Sequence, residues 1–302
     1  DIGLWFTGKE RRMMMSMNAP VKARGSRNMD FTDKEFPMAD EDFNRLATMA
    51  YDISGIVLGE QKKELVYSRI SRRVRKLNLE NFSQYCQYLT TNQDSETNEF
   101  LNAITTNLTS FFRESHHFEY LAQEIIPKWK REKKGKTIRI WSSACSTGPE
   151  PYSIAITLNK HMVMNNFNVK ILATDLDSEV LAKARKGEYP IADIEQLPRN
   201  YLSNFLRNKG SETGQVKDSI RQMIQFNRLN LLGPWPMKNK FDVIFCRNVV
   251  IYFNKETQRE LFDRLADSLV EGGYLFIGHS ETLHGMTERF VNIGRTIYQK
   301  IC

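Results

Sequence analysis

The residues of this chain that could do chemistry fall in four clusters. Glu150 follows a run of small side chains, Ser142-Ser143-Ala144-Cys145-Ser146-Thr147-Gly148, and stands between Pro149 and Pro151. Asp175 ends the apolar stretch 170–175, and Arg247-Asn248 follow another, 241–246. Arg113 closes Thr105-Thr106-Asn107-Leu108-Thr109-Ser110-Phe111-Phe112-Arg113. Carboxylates, amides and guanidiniums of this kind bind and align a ligand. The four cysteines, Cys86, Cys145, Cys246 and Cys302, lack the spacing of a metal or disulfide framework. His116 and His117 adjoin, point in different directions on a helix and read as structural.

The elements that must position these groups follow from periodicity. Thr137-Ile138-Arg139-Ile140 alternates into Trp141 as a strand, the small residues make a loop, and Pro151 suits the first turn of a helix continued by Ile154, Ala155, Ile156 and Leu158. Residues 170–175 read as a strand, with Asp177 or Ser178 capping a helix that ends before Gly187. Strands follow at 226–232, 241–246 and 274–278, with a helix at 255–270 stopped by Gly272-Gly273. Repeated βα units predict a mostly parallel sheet covered on both faces, with ligands at the carboxyl ends of its strands. Residues 188–223 break the pattern and predict an inserted subdomain.

A dinucleotide site wants G-x-G-x-x-G at the first turn. This loop has one Gly, and a carboxylate there argues against a polyanion. It fits a neutral or cationic ligand, and the sulfonium of S-adenosylmethionine is a cation. An ordinary tight strand-to-helix turn fits the loop equally. Asp175 stands where nucleotide-binding α/β sheets hold ribose hydroxyls, though further from the first loop than usual; a capping role is the alternative.

Ahead of this domain lies a helical one. Phe43, Leu46, Ala47 and Ala50 mark a helix from Asp40, the Gly55 to Gly59 stretch breaks it, and Val66, Ile70, Val74 and Leu77 stripe a second over 60–77. That second helix carries Lys62, Lys63, Arg69, Arg72, Arg73, Arg75 and Lys76, of which Arg69, Arg72, Arg73 and Lys76 cluster on one side. Only Glu64 is acidic among them, which predicts an unneutralised ridge; a solvated helix face is the plainer alternative. Helices at 81–90 and 96–106 complete the unit, the Phe pair at 111–112 is expected to pack on the larger domain, and a helix follows over 114–134. Residues 1–33 read as a disordered tail or as sequence foreign to the protein.

At 302 residues, 41% hydrophobic and 26% charged, the composition is that of a soluble globular protein, and no apolar run approaches the ~18 residues of a membrane span. The expected compartment is the cytoplasm. The net charge of +7 favours acidic partners.

From about Asp40 onward the chain resembles the chemotaxis receptor methyltransferases of the CheR type. The resemblance rests on Thr105 to Arg113, on Ser146-Thr147-Gly148-Pro149-Glu150-Pro151-Tyr152-Ser153, on Asn230-Leu231-Leu232, and on Phe245-Cys246-Arg247-Asn248-Val249-Val250-Ile251-Tyr252-Phe253. It implies a Rossmann-like class I S-adenosylmethionine methyltransferase sheet (residues 106–302) with a small inserted β subdomain at about 188–223, preceded by a basic all-helical domain (34–105). It implies esterification of glutamates on the cytoplasmic helices of chemoreceptors, with S-adenosyl-L-homocysteine as product and no metal or nucleic acid.

Carried over by motif, Asn107, Thr109, Arg113, Glu150, Asp175, Asn230, Leu231, Arg247 and Asn248 are expected to hold the cofactor. Arg113 and Tyr252 are expected to act at the reacting centre, and Arg69, Arg72, Arg73 and Lys76 on the acidic substrate. The inserted subdomain is the candidate site for a receptor C-terminal peptide, and receptor arrays the candidate membrane location. Pro149 departs from the family, which commonly has glutamate there. Two other readings share the composition: a nucleic-acid methyltransferase, whose Asn/Asp-Pro-Pro-aromatic and Pro-Cys motifs are missing, and a non-catalytic S-adenosylmethionine-binding sensor or scaffold.

Overall fold

The computed structural model describes residues 34–162, 166–207 and 210–302. The tail expected over 1–33 lies outside them.

Helix α1 (Asp40–Ser54) begins with three acids, Asp40, Glu41 and Asp42, which suit the positive end of a helix dipole. A 3₁₀ turn, Glu60–Lys62, leads into α2 (Lys63–Lys76), whose Val66, Ile70 and Val74 are fully buried. Helix α3 (Phe82–Thr91) is capped by the Asn81 side chain accepting the Gln84 amide at 2.9 Å, and α4 (Gln93–Ile104) follows. These helices do not form a separate core. Phe43, Phe82 and Phe100 belong to one cluster with Trp141, Ile244, Cys246, Leu275 and Ile277 of the sheet. Each buried side chain of this size contributes roughly 1.5–3 kcal/mol, so the shared cluster holds helices and sheet as one body.

A helical rod runs through α5 (His116–Tyr120), a π turn (Leu121–Ile125) and α6 (Ile126–Glu132). Pro127, which lacks an amide N–H, sits just past the π turn and accounts for the local change of hydrogen bonding. Then come β1 (Thr137–Ser142), α7 (Pro149–His161), β2 (Asn168–Asp175) and α8 (Ser178–Lys186), the last capped by Asp177 and ended by Gly187 as expected. Helix α7 starts two residues before the expected Pro151. Gly148, at φ 100°, makes the turn and Pro149 takes the first helical position, where a missing N–H costs nothing.

The insertion contains β3 (Glu188–Pro190), α9 (Ile191–Glu195), α10 (Arg199–Leu202), β4 (Phe205–Arg207), β5 (Thr213–Val216) and α11 (Asp218–Arg221). Its strands form their own antiparallel sheet in the order β3-β5-β4. The main sheet resumes with β6 (Ile224–Arg228), β7 (Phe241–Cys246), α12 (Lys255–Ser268), β8 (Leu269–Ile277), β9 (Phe290–Gly294) and β10 (Ile297–Lys300).

Its order is β6-β2-β1-β7-β8-β10-β9. The first five strands are parallel and the last two antiparallel, a pair the sequence reading did not foresee. Direction of winding reverses between β1 and β7, which opens a crevice at the carboxyl ends there. Gly272-Gly273 lie within β8 and do not stop α12, which ends at Ser268. A Cβ on Gly273 would meet the Val270 and Asp242 carbonyls at 2.9 and 3.2 Å, so glycine permits the close approach of β8 to β7 where their register shifts. Strand β6 ends at Arg228, leaving Asn230 in the loop beyond it.

Candidate active site

A pocket of about 1180 Å³, counting its open mouth, lies at that crevice. Its lining includes Asn107, Thr109, Arg113, Glu150, Asp175, Asn230, Leu231, Arg247, Asn248 and Tyr252, which five separate stretches of sequence bring together. Ser54, Ile56, Leu58, Lys62 and Leu65 of the helical unit line it as well, and sequence reasoning missed them. The Ile56-Val57-Leu58 run between two glycines was the available signal.

Arg247, 5% exposed, is the hub. It follows β7, and its Nη1 lies 3.0 Å from Glu150 Oε2, while the Ser142 hydroxyl donates to Glu150 Oε1 at 2.7 Å. Its Nη2 lies 3.4 Å from Glu114 Oε2 and donates to the Arg113 carbonyl. The guanidinium also stands over the Phe118 ring. Burial raises the Glu150 pKa, against the pull of Arg247 and Ser142. At Glu114 burial also pushes upward, but the His279 hydrogen bond and Arg247 outweigh it and hold that carboxyl at about 2.

Two side chains outside the expected set shape the loop after β7. Glu281 accepts the amides of Gly278 at 2.6 Å, Asn248 at 3.0 Å, and Val249 and Val250 at 2.9 Å each. Glu114 Oε1 accepts from Asn248 at 3.4 Å and meets His279 at 3.0 Å. Four residues other than glycine here have positive φ: Phe112, Glu114, Ser146 and Asn248. Such backbone costs of order 1–3 kcal/mol each and persists where surrounding contacts over-determine it.

Asp175 ends β2 with Oδ2 accepting the Ser146 amide at 2.8 Å and Oδ1 accepting the Asp177 amide at 3.0 Å. Each carboxylate oxygen keeps a second lone pair for a ligand hydroxyl. Burial pushes Asp175 up to about 6. Asn107 donates to Asp177 Oδ2 at 2.7 Å and its carbonyl accepts from Ser146, so segment 105–113 is stitched to β2 and to the first loop.

The donor set fits S-adenosylmethionine and not a pyrophosphate. The loop amides of Ser143, Cys145, Ser146 and Gly148 are all bonded within the fold, leaving none of these four for phosphate oxygens. The lining offers the carboxylates of Glu150 and Asp175, groups suited to an amine and to ribose hydroxyls, and the apolar side chains Leu176, Leu229 and Leu231, suited to an adenine. A ribose hydroxyl donating to the ionised Asp175 would lower its pKa. Cofactor affinity is therefore expected to be full well above pH 6 and to fall, by up to about tenfold per unit, as pH drops below it. Titrations across pH 5 to 8 read this directly; a flat profile contradicts it.

Other expectations need adjustment. The Asn230 side chain donates to the Ile53 carbonyl at 2.9 Å and accepts the Leu232 amide at 3.0 Å, so it ties this loop to α1 as well as lining the pocket. His116 and His117 do not diverge: both Nε2 atoms meet the Arg295 carbonyl, at 3.0 and 3.2 Å. Their structural reading stands, since burial lowers His117 to about 3 and keeps it neutral. The Phe pair packs as expected, Phe111 edge-on to Tyr189 and Phe205, Phe112 stacked on Tyr201.

The ridge on α2 is largely neutralised, contrary to expectation, by acids on α4. Arg73 makes a two-pronged pair with Glu96 at 2.9 and 2.6 Å and reaches Glu99 at 2.5 Å; Lys76 lies 3.8 Å from Glu99. Arg69 caps the end of α4 through the Ile104 and Thr105 carbonyls. Arg72 alone of the four stays exposed without an ion pair among the described residues. None of the four lines the pocket.

Residues 107–299 match the family model described as CheR methyltransferase, SAM binding domain, and residues 41–105 that described as CheR methyltransferase, all-alpha domain. The chain belongs to the CheR methyltransferase family. Among its relatives is the probable chemotaxis protein methyltransferase of Rhizobium etli, 44% identical over 258 residues, covering 83% of this chain and 96% of the relative. Chemotaxis protein methyltransferase 2 of Pseudomonas aeruginosa is 42% identical, covering 89% and 96%, and the chemotaxis protein methyltransferase of Escherichia coli is 41% identical, covering 86% and 91%. This CheR-family chain therefore has a S-adenosylmethionine-binding domain of the Rossmann-like methyltransferase class behind an all-helical one, and the crevice lies at their junction.

Proposed function

We propose that this methyltransferase esterifies glutamate side chains on the cytoplasmic helices of chemoreceptors, with S-adenosyl-L-methionine as methyl donor. The observation that carries the reading is the joint lining of one pocket by Glu150 and Asp175, suited to the donor, and by Arg113, Lys62 and Tyr252, suited to an incoming carboxylate. The donor supplies a methyl group on a sulfonium. A glutamate of ordinary pKa ~4.3 is already ionised at neutral pH and needs no base. The protein's part is alignment and exclusion of water.

Arg113 is placed to hold the incoming carboxylate or a neighbouring charge, and Tyr252, beside the Lys62 ammonium at 5.1 Å from its ring, to orient it. Too tight an ion pair would quench the nucleophile, which favours partly exposed cations over a buried clamp.

Arg72, which has no ion pair among the described residues, is suited to steering an acidic helix. Arg72→Glu is expected to lower methyl transfer to receptor about 3–10-fold while leaving cofactor affinity and stability unchanged; parallel loss of cofactor affinity would contradict this division. Among the described residues β3 and β4 are the edges of the inserted sheet, and exposed Leu206 on β4 suits a receptor C-terminal peptide added as a further strand. No described helix is long and apolar enough to cross a membrane, in keeping with a cytoplasmic enzyme that reaches membrane arrays through receptors.

The test is incubation with a purified chemoreceptor cytoplasmic fragment and S-adenosylmethionine, followed by peptide mass mapping. Mass gains of one methylene on glutamates are expected. Modification confined to nucleic acid, or cofactor binding with no modified product, would overturn the reading.

A further inference from the structure

A second groove lies on the face of β1, β2 and β6 and meets the pocket at Leu229. It exists because the crossover from β6 to β7, residues 229–240, forms no helix. Parallel strands are usually joined by a helix that covers the sheet; here an irregular segment takes that place, covering Trp141 with Trp235 and leaving the neighbouring part of the face as a groove. Strand register sets Arg139 directly beside Lys170, and Leu172 beside Gln225, along the floor of this groove. Arg228 and Lys238 also line the groove, and no Asp or Glu among the described residues does. Nearby Asp242 is engaged elsewhere, by Lys133 at 2.7 Å and by the Arg139 amide at 2.8 Å.

Like charges on adjacent strands are destabilising, and neither Arg139 nor Lys170 has an ion pair among the described residues. The floor is not purely cationic, because Leu172, Met237 and Phe241 contribute apolar surface. That mixture suits a helix with one acidic and one apolar side. A nucleic acid would be expected to find aromatic rings interleaved with the cations for stacking, and Phe241 is the one aromatic of the lining.

We infer that this groove docks an acidic amphipathic helix of a partner protein, lying between the crossover segment and the exposed ends of β1, β2 and β6. A helix ~10–12 Å across packs on a sheet at the ordinary interlayer distance of ~10 Å. The groove adjoins the methyl-transfer pocket at Leu229 but shares none of that pocket's charged residues, so changes at Lys170 and Lys238 test the groove without altering the pocket's lining.

The test uses the full chain and a fluorescent synthetic peptide about five turns long, with glutamates on one helical side and leucines on the other. Binding is expected to weaken steeply with salt. The double variant Lys170→Glu/Lys238→Glu, both at exposed positions, is expected to weaken it at least about tenfold. Cofactor titration verifies that the variant is folded, and Arg72→Glu is expected to leave peptide binding intact. Absence of peptide binding by the wild type, equal binding by the double variant, or loss in Arg72→Glu alone would overturn the inference. So would tighter binding of a single-stranded DNA of equal charge that the double variant abolishes.

Discussion

Arg247→Met lowers the unfolding free energy by about 3–5 kcal/mol, the cost of leaving a buried charge without its partner. Glu150 is the charge left behind, with only the Ser142 hydroxyl to stabilise it, and Glu114 loses its guanidinium partner. The loss is expected to depend on pH in a defined sense. Burial already holds the Glu150 pKa above its unfolded value, and removal of Arg247 raises it further. Stability tied to a raised carboxyl pKa is present below the unfolded value of ~4.3 and disappears as pH rises through the folded one. The deficit is therefore largest at neutral pH and shrinks toward pH 4 in urea unfolding experiments. Glu150→Gln in the same background should recover part of it at neutral pH. A deficit independent of pH, with no recovery, would mean that lost packing on Phe118 dominates.

Arg113→Ala lowers kcat/KM for receptor by about 10²–10³-fold, the range seen when one positioned cation or donor at a reacting centre is removed. Cofactor affinity is expected to fall far less. The Arg113 guanidinium donates to the Leu108 carbonyl at 2.9 Å and bonds neither Glu150 nor Asp175. Its backbone carbonyl, held by Arg247, stays in place when the side chain is cut. Arg113→Lys, which keeps the charge but loses the planar fork, should recover part of the rate. Equal losses of transfer and cofactor affinity would move Arg113 from the acceptor to the donor side of the pocket.

The strands and the loops at their ends were legible because their signals are local: period-two alternation for β1, an acid after an apolar run for Asp175, a cap at Asp177. Charge neutralisation was not legible. Arg73 meets Glu96 and Glu99 across two helices, while only Glu64 was in view along its own. The same holds for Asn107 and Asn230, whose amides were visible as polar groups but not as groups already bonded to Asp177 and Ile53. Glu281 reads as a surface acid until the fold wraps four amides around it. Gly272-Gly273 gave the right punctuation and the wrong event, since close strand contact and a helix stop both call for glycine. The contribution of the helical unit to the pocket was hidden because a contiguous helical stretch predicts an independent domain, whereas its core is continuous with the sheet.

The claim on which the rest depends is that the crevice between β1 and β7 holds S-adenosylmethionine with Asp175 as its ribose acceptor. Calorimetric titration of S-adenosylmethionine into the full chain and into Asp175→Ala at pH 7.5 tests it most directly. One site per chain is expected, with affinity reduced by about 10²-fold or more in the variant, the loss of two hydrogen bonds to a charged acceptor. Binding of equal strength to both proteins would contradict the placement of the cofactor.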